Sequence, residues 1–420
     1  MKSKRIFGLA AALMLSVVVT GGLWAQEFKL DGYLNSGLGI VANDIEESDA
    51  YLKAFGVDGE SNGYRFRLNG VYTNEAKNAG GRFRLQSQRN LGLGVFSLAY
   101  AYGWVGFLEN KVTLTGGIVD DSTWQTADWW FNDDLAEGLG LLVKATPIDG
   151  LNLGFGMYTI TQQTGGSNNI LSFNGALPNF GSIMPRLWEA KYTAYASYTM
   201  PDTFRFGLGF RNKNKTMWRP VNAAGDYSFT GDYEPDTLLA ELRILAVKDL
   251  TAVVVGVFDY LGDFDTMGNV RLSETFGYKM DNLSIGLNAV QFLYSRSDDR
   301  DPGLLFNPWV SYAIDKVVPR LDLVFFAGGQ SKMATSAQQW ERRGFVSQGG
   351  GFADADDDYS VFSIRPSVKI NLDSRIFLEI GDMLNIDFAN FDGYRTKASG
   401  APDRDTMVSN VFYVDVKFSF

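Results

Sequence analysis

Cysteine and histidine are both absent from this chain of 420 residues. Without cysteine there can be no disulfide bond, no thiolate nucleophile and no thiolate metal ligand. Without histidine there can be no Ser-His-Asp or Cys-His catalytic group and no imidazole metal site. These absences exclude the hydrolases and metalloenzymes that depend on the two side chains, and we predict neither a cofactor nor a bound metal.

Long apolar runs are also scarce, and the clearest of them lies at the N-terminus. A basic segment at residues 2–5 precedes an apolar run over residues 6–19, and Ala25 is a small residue at the expected cleavage point. This is the pattern of a secretory signal peptide, because the run is too short for a membrane anchor and polar chain follows it directly. We predict that residues 1–25 are removed on export. No linker or change of composition divides the remainder, so residues 26–420 are expected to form a single domain.

Basic residues are in the minority, with 38 Lys and Arg against 48 Asp and Glu and a formal net charge of −10. Nucleic-acid binding requires a basic face, so we expect no nucleic-acid partner. Glycine (46 residues) and aromatic residues (14%) are abundant, while the mean hydropathy is only −0.09. This mixture is typical of chains in which apolar and polar residues alternate along β-strands.

The last ten residues of the chain show this alternation most clearly. Between residues 411 and 420 every second position is apolar, and most of the residues between them are polar. A period of two places the two sets on opposite faces of one β-strand. The apolar set is Phe412, Val414, Val416, Phe418 and Phe420.

This strand resembles the closing strand of Gram-negative outer-membrane barrels, which end in an aromatic residue with apolar residues at every second position before it. The resemblance implies that the set ending in Phe420 is an assembly signal, recognised by the barrel-assembly machinery. It also implies that the protein is integral to the bacterial outer membrane and contacts its lipids. A soluble edge strand that ends in this way by chance is the alternative.

The same alternation recurs along the chain and predicts eighteen strands. The first nine span residues 28–40, 62–72, 82–88, 95–107, 111–119, 138–145, 151–161, 187–199 and 203–211. The other nine span residues 238–246, 250–260, 269–279, 283–294, 306–314, 320–327, 360–370, 375–386 and 408–420. Most are close to the roughly 9–11 residues that a tilted strand needs to cross a bilayer.

Short links alternate with long polar links between these strands, as expected of a bacterial barrel with its turns at one end and its loops at the other. The link around residues 90–94 is the exception, because it is short where the alternation requires a long loop. A missed or spurious hairpin there would change the strand count. We therefore predict an all-β fold, a transmembrane antiparallel β-barrel of 18 strands, with 16 or 20 strands as the alternatives.

Arginines cluster on one face of the second and third predicted strands, where they alternate with apolar residues such as Phe66 and Phe83. If the apolar residues face lipid, the polar set lines the interior. That set comprises Arg65, Arg67, Arg82, Arg84, Gln86 and Gln88, and we call its four arginines the arginine ladder. The next predicted strand is expected to turn its small residues towards the ladder and leave space beside it. These small residues are Ser97, Ala99, Ala101 and Gly103.

Further charged residues are predicted on the inner face by the same alternation. The channel-lining set is completed by Arg205, Arg243, Arg365 and Lys369, and the same face is expected to carry Glu189, Lys191, Arg211, Glu241, Arg375, Glu379, Asp415 and Lys417. Cations outnumber acids in this set. Fixed guanidiniums bind carboxylates through paired hydrogen bonds and raise the local concentration of anions. The alternative is that they neutralise interior acids or hold an inward loop.

These features favour a porin, a water-filled channel for passive diffusion of small hydrophilic solutes, with a lean towards anions. An eighteen-strand count resembles the substrate-selective porins for sugars or small carboxylates more than the sixteen-strand general porins. The alternatives are an outer-membrane transporter of hydrophobic solutes, a surface adhesin, and a glycan hydrolase that uses carboxylates alone, such as Glu189 with Glu241. We predict no enzymatic activity. The expected partners are outer-membrane lipids, the barrel-assembly machinery, small hydrophilic solutes and, if the protein is a homo-oligomer, further copies of the chain.

Overall fold

The computed structural model describes the strands and tight turns of the chain. It covers residues 27–43, 51–55, 64–87, 96–120, 137–159, 191–212, 217–220, 227–230, 236–261, 269–295, 303–327, 360–388 and 406–420. In these ranges no helix is long and apolar enough to cross a membrane. The regular structure that they contain is β-strand.

Twenty-one strands are formed by the described residues. The first eleven are β1 (Glu27–Asn43), β2 (Tyr51–Phe55), β3 (Tyr64–Thr73), β4 (Ala79–Ser87), β5 (Phe96–Phe107), β6 (Val112–Asp120), β7 (Glu137–Ala145), β8 (Leu151–Thr159), β9 (Lys191–Met200), β10 (Phe204–Arg211) and β11 (Met217–Pro220). The others are β12 (Tyr227–Thr230), β13 (Asp236–Ile244), β14 (Leu250–Leu261), β15 (Asn269–Met280), β16 (Leu283–Ser295), β17 (Gly303–Tyr312), β18 (Val317–Ala327), β19 (Ser360–Asn371), β20 (Ile376–Phe388) and β21 (Thr406–Ser419).

Eighteen of these strands join in chain order into one closed antiparallel barrel. Each wall strand pairs with the wall strand before it and the one after it. The barrel closes at β1, which pairs with β3 over residues 27–36 and with β21 over residues 33–43. Closure gives every wall strand a partner on both sides, so the described part of the wall has no open sheet edge. The prediction of an all-β barrel of 18 strands is therefore confirmed.

Three short strands lie outside this set of eighteen. β2 pairs with residues 37–41 of β1, beyond the point where β3 ends, so β2 and β3 share one edge of β1. β11 and β12 pair with each other in a separate ribbon. These strands are four or five residues long, too short to give a recognisable alternation in the sequence.

Eight tight turns connect neighbouring wall strands at one end of the barrel, which we call the turn end. They occupy residues 74–78, 108–111, 146–150, 201–203, 245–249, 281–282, 313–316 and 372–375. Four of them place an aspartate in the left-handed region, at Asp202, Asp249, Asp281 and Asp315. Aspartate tolerates this conformation because its short side chain can hydrogen-bond locally. The opposite end of the barrel is called the loop end, and the link at residues 90–94 lies outside the described residues.

Apolar side chains face outward along the wall, and polar ones alternate with them on the inner face. On β21, Phe412 and Phe418 are 44% and 43% exposed, whereas Tyr413 and Asp415 are buried. Large apolar side chains are exposed in the same way on other strands, including Leu30, Leu141, Phe155, Phe206, Leu242, Phe276, Ile285, Val310 and Phe325. An apolar outer surface around a polar interior is the distribution of a barrel that contacts lipid.

The inner face is not uniformly polar. Its side chains on β13, β14 and β16 to β18 include seven that are apolar and almost fully buried, namely Leu239, Val253, Val255, Val257, Val290, Leu305 and Val324. Charged inward side chains lie near this region, on β10 and β13, and form a larger group on β18 to β21, β1, β3 and β4. This larger group crosses the seam at which the N-terminal and C-terminal strands meet.

Proline interrupts the strand pairing at two places in the wall. The β17–β18 pairing omits Asn307 and Pro308, because proline has no N–H to donate to the facing Leu323 carbonyl. Asn307 Nδ2 donates to that carbonyl instead, at 3.0 Å. The β19–β20 pairing has a similar gap at residues 365 and 366, which include Pro366.

Candidate functional site

The arginine ladder lies on adjacent strands, β3 and β4. Arg67 stands opposite Gln86, and Arg84 stands opposite Asn69. Arg67 Nε donates to Gln86 Oε1 at 3.2 Å, and Arg84 Nε donates to Asn69 Oδ1 at 2.9 Å. β3 runs towards the turn end and β4 returns from it, so Arg82 and Arg84 lie nearer that end than Arg67. Gln88, which was predicted beside them, lies outside the described residues.

The prediction for the strand beside the ladder is wrong next to Arg82 and Arg84, although Ser97 does stand opposite Gln86. Arg84 is paired with Tyr100 and Arg82 with Tyr102, so large aromatic residues and not the small ones face the arginines. The register shifts between Arg84 and Leu85 and leaves Ala99 without a cross-strand partner. Such a bulge exchanges the two faces of a strand, which strict alternation cannot anticipate. Ala101 and Gly103, on the turn side of the bulge, therefore lie on the outer face.

Tyr100 forms an aromatic floor under the ladder. Its ring centroid lies 5.2 Å from Arg82 Cζ and 4.7 Å from Arg84 Cζ, and the residue is only 1% exposed. The rings of Tyr102 and Trp104 continue the row, with centroid separations of 5.7 and 6.3 Å. A ring face holds a guanidinium in place without neutralising its charge. The alternation of Tyr and Trp in the sequence was the available signal for this row.

The seam strands carry a further set of inward contacts. Asn69, which holds Arg84, donates from Nδ2 to Asp31 Oδ1 at 2.5 Å. The Tyr33 ring lies 5.6 Å from Arg67 Cζ and 4.4 Å from Lys417 Nζ. These contacts connect the ladder on β3 and β4 with the charged residues of β21.

Arg205 and Arg243 stand opposite each other on β10 and β13, and both lie close to a buried acid on β13. Arg205 Nε is 3.6 Å and Arg243 Nη2 is 3.8 Å from Glu241 Oε1, and the Glu241 side chain is 1% exposed. A carboxylate buried to this extent is inaccessible to a glycan. Its predicted hydrolase partner, Glu189, lies outside the described residues. Within those residues, no group of three or more acidic side chains is placed to hold a metal ion.

Arg365 and Lys369 belong to a second basic region, on β19. Arg365 is 8% exposed and donates from Nε to Ser363 Oγ at 2.8 Å. Lys369 Nζ lies 4.0 Å from the centroid of the Phe377 ring. Arg320 on β18, which was not among the predicted site residues, joins them. The alternation of Arg320 and Asp322 with leucines matches that of the ladder and could have revealed it.

The remaining predicted inward residues fall into three groups. Arg211, Glu379, Asp415 and Lys417 lie on inward positions of wall strands. Arg375 lies in the turn before β20 and is exposed. The side chain of Lys191 is outside the described residues.

Known structures share this fold over almost the whole chain. The chain is similar to OpdL of Pseudomonas aeruginosa, with a TM-score of 0.51, 9% identity and coverage of 94% of this chain and 99% of that one. It is also similar to OccK2 (OpdF) of the same organism, with a TM-score of 0.53, 11% identity and coverage of 94% of this chain and 99% of that one. For OccK11 (OpdR) of that organism the TM-score is 0.50 and the identity 8%, with coverage of 94% of this chain and 97% of that one. The chain has the fold of outer-membrane porin barrels. No family model and no curated protein matches the sequence.

Proposed function

We propose that this chain forms a water-filled channel through the outer membrane of a diderm bacterium, through which small hydrophilic solutes diffuse with a preference for anions. The observation that carries the proposal is the division of the barrel wall into an apolar outer face and a charged inner face. Lipid solvates an apolar outer belt, whereas interior arginines require water or polar partners. A closed barrel of 18 strands is wide enough to hold both the side chains and a water path.

The preference for anions rests on the arginine ladder. Contacts with Gln86, Asn69 and Tyr100 hold three of its guanidiniums, those of Arg67, Arg82 and Arg84, and none of these three groups removes positive charge. Guanidiniums held in fixed orientations on the inner face of the barrel attract anions and bind carboxylates through paired hydrogen bonds. Permeation responds to this local charge more than to the acidic net charge of the whole chain, because salt screens distant charges within about 8 Å.

Export and orientation follow from the same proposal. Residues 1–25 direct export and are removed, and residues 26–420 assemble as the barrel. The turn end faces the periplasm and the loop end faces the outside, since bacterial barrels keep their short turns on the periplasmic side. The apolar set from Phe412 to Phe420 acts as the assembly signal, and its outward position on β21 makes it available to the assembly machinery. The channel requires no catalytic group and no cofactor.

Conductance measurements test the proposal directly. Mature protein, folded in detergent and added to a planar bilayer, is expected to produce discrete current steps. In a KCl gradient its reversal potential is expected to lie between zero and the equilibrium potential of chloride, as for an anion-selective channel. The absence of steps from folded protein would contradict the channel, whereas a cation-selective reversal potential would contradict only the anion preference.

A further inference from the structure

A cavity of about 380 Å³ opens on the inner wall between β17 and β21, on the other side of the seam from the arginine ladder. Its lining combines charged, hydroxyl and apolar side chains. The charged members are Arg320, Asp322, Arg365, Lys369 and Glu379, and the others are Ser311, Val318, Ser367, Met383 and Tyr413. The volume falls within the range of about 300–1,000 Å³ that is usual for small-molecule sites.

Ser367 has three cations around it on the inner face. Arg320 stands directly opposite it on β18, and Arg365 and Lys369 lie two positions away in each direction on β19. Side chains two positions apart on a strand share one face and are separated by roughly 7 Å, and opposite pairs are about 5 Å apart. On its other side Ser367 faces Gly381, and the Tyr413 ring packs over that glycine and forms one wall of the cavity.

Arg320 is held in a position that leaves donors free. Its Nε and Nη2 donate to both carboxylate oxygens of Asp322, at 2.6 and 2.7 Å, and its Cζ lies 4.4 Å from the centre of the Trp309 ring. These contacts order the guanidinium before any solute arrives. Arg320 Nη1 has no hydrogen-bond acceptor among the described residues, and the cavity has space for an acceptor group of a solute.

Lys369 supplies a charge that forms no ion pair with the described residues. Its Nζ rests on the Phe377 ring and forms no hydrogen bond or ion pair with any residue that the structure describes. Glu379 stands opposite Lys369 in the register, yet it accepts a hydrogen bond of 3.0 Å from the Tyr413 hydroxyl. An ammonium group with three donors and only an aromatic contact is a binding point for an anion.

The two acids of the cavity restrict what that anion can be. Asp322 and Glu379 compensate two of the three cations, so the cavity retains about one positive charge. A solute with one negative charge matches it, whereas a second negative charge would be repelled by both carboxylates. Carboxylates and serine hydroxyls are good partners for hydroxyl groups, which a plain fatty acid lacks.

We propose that this cavity is a solute subsite that binds a small monoanionic acid bearing hydroxyl groups, a hydroxy acid or a sugar acid. The carboxylate lies between Lys369 and Arg320, and the hydroxyls are shared by Ser367 and Glu379. The inference rests on the proposed function and deepens it, because it names a solute class and a second position along the channel wall. Binding at the cavity can nevertheless be measured without any permeation.

Equilibrium binding of radiolabelled gluconate to the folded barrel in detergent tests the subsite. Gluconate is expected to bind, and its displacement is expected to require at least about tenfold more propionate, sorbitol or sulfate, because each lacks at least one of the matched features. Equal competition by propionate would overturn the role of the hydroxyls, and equal competition by sulfate would overturn the single-charge match. The absence of binding to folded barrel would overturn the subsite, whatever the conductance result.

Lys369→Met gives the residue-level test, since methionine keeps much of the length and removes the charge. The dissociation constant for gluconate is expected to rise about tenfold, as for loss of one charge-assisted hydrogen bond. Lys144→Met removes a lysine from an inward position of β7, outside the cavity, and is expected to leave binding unchanged. Equal effects of the two variants would overturn the proposal.

In a conducting channel, Lys369→Met should weaken the block of current by gluconate, and Lys144→Met should leave that block unchanged. A barrel that binds gluconate without conducting would contradict only the proposed function.

Discussion

Gly32 and Phe420 exchange two backbone hydrogen bonds, each of 3.0 Å, where the first strand of the barrel, β1, meets the last strand, β21. The Phe420 ring lies directly over Gly32, where a Cβ atom would come within 2.8 Å of the ring Cζ. The same ring stacks on Phe66 with a centroid separation of 6.2 Å. The last residue of the chain is therefore part of the closing seam and packs across β1 onto β3.

Gly32→Ala is expected to weaken barrel closure. The added methyl group would meet the Phe420 ring and the Arg67 backbone carbonyl, and overpacking of this kind typically costs about 1–3 kcal/mol. The heat-modifiable band on gels should convert to the unfolded form at a lower temperature. Gly103→Ala is the control, because a Cβ there would meet only one backbone oxygen, at 3.4 Å. Equal thermal stability of the two variants would contradict the packing argument.

Deletion of Phe420 should act at two separable stages. In cells, less protein should reach the outer-membrane fraction while secretion is unchanged, because the proposed assembly signal is incomplete. In detergent refolding, which requires no assembly machinery, the truncated barrel should also be less stable, because the two backbone bonds to Gly32 are lost. Normal assembly in cells would contradict the signal, and unchanged stability after refolding would contradict the seam contact.

Asn307→Ala should be destabilising in a way that depends on Pro308. The substitution removes the donor to the Leu323 carbonyl, and an unsatisfied buried carbonyl costs about 1–3 kcal/mol. Pro308→Ala restores a backbone N–H at the gap, so Asn307→Ala should cost less in that background. A double-mutant cycle of unfolding free energies measures the coupling. Additive effects would show that the Asn307 side chain and a backbone N–H at residue 308 do not compete for the Leu323 carbonyl.

Strand positions were predictable because one physical requirement acts along the whole wall. Every crossing must present apolar residues to lipid at every second position, so the period of two persists for the length of each strand. All eighteen predicted strands correspond to wall strands, with ends that differ by a few residues. The short strands β2, β11 and β12 are not part of the eighteen-stranded wall, and their sequences are too short to show a recognisable alternation of apolar and polar residues.

The orientation of β5 could not be predicted from the sequence. A bulge is defined by the register of two neighbouring strands, and Ala99 looks like any other member of an alternating run. Strict alternation placed Ala101 towards the arginines, whereas the register places Tyr100 and Tyr102 there. The same limit applies to the cavity on β19, because the position of Arg320 opposite Ser367 depends on the pairing of strands that a long link separates.

Tyr100 provides a test of the aromatic floor under Arg82 and Arg84. Tyr100→Phe keeps the ring and should preserve the anion preference of the channel. Tyr100→Leu removes the ring, and with it contacts worth about 0.5–2 kcal/mol for each guanidinium, so the arginines should lose their fixed positions. The reversal potential in a KCl gradient should then move towards zero. Indistinguishable reversal potentials for the two variants would indicate that the ring does not order the arginines.

Replacement of Arg82 and Arg84 by glutamine tests the anion preference itself. Both residues lie on the inner side of β4, and a charged side chain facing lipid at mid-depth would cost about 2–4 kcal/mol, so their position is compatible only with water or polar partners. Glutamine keeps polarity and removes the charge, so the reversal potential should shift towards cations while the folded band on gels is retained. Lys77→Gln with Lys111→Gln is the matched control, because it removes two charges from turns and leaves the inner wall unchanged. A cation-selective wild-type channel, or an equal shift in the control, would mean that the ladder serves the structure of the wall and does not select the solute.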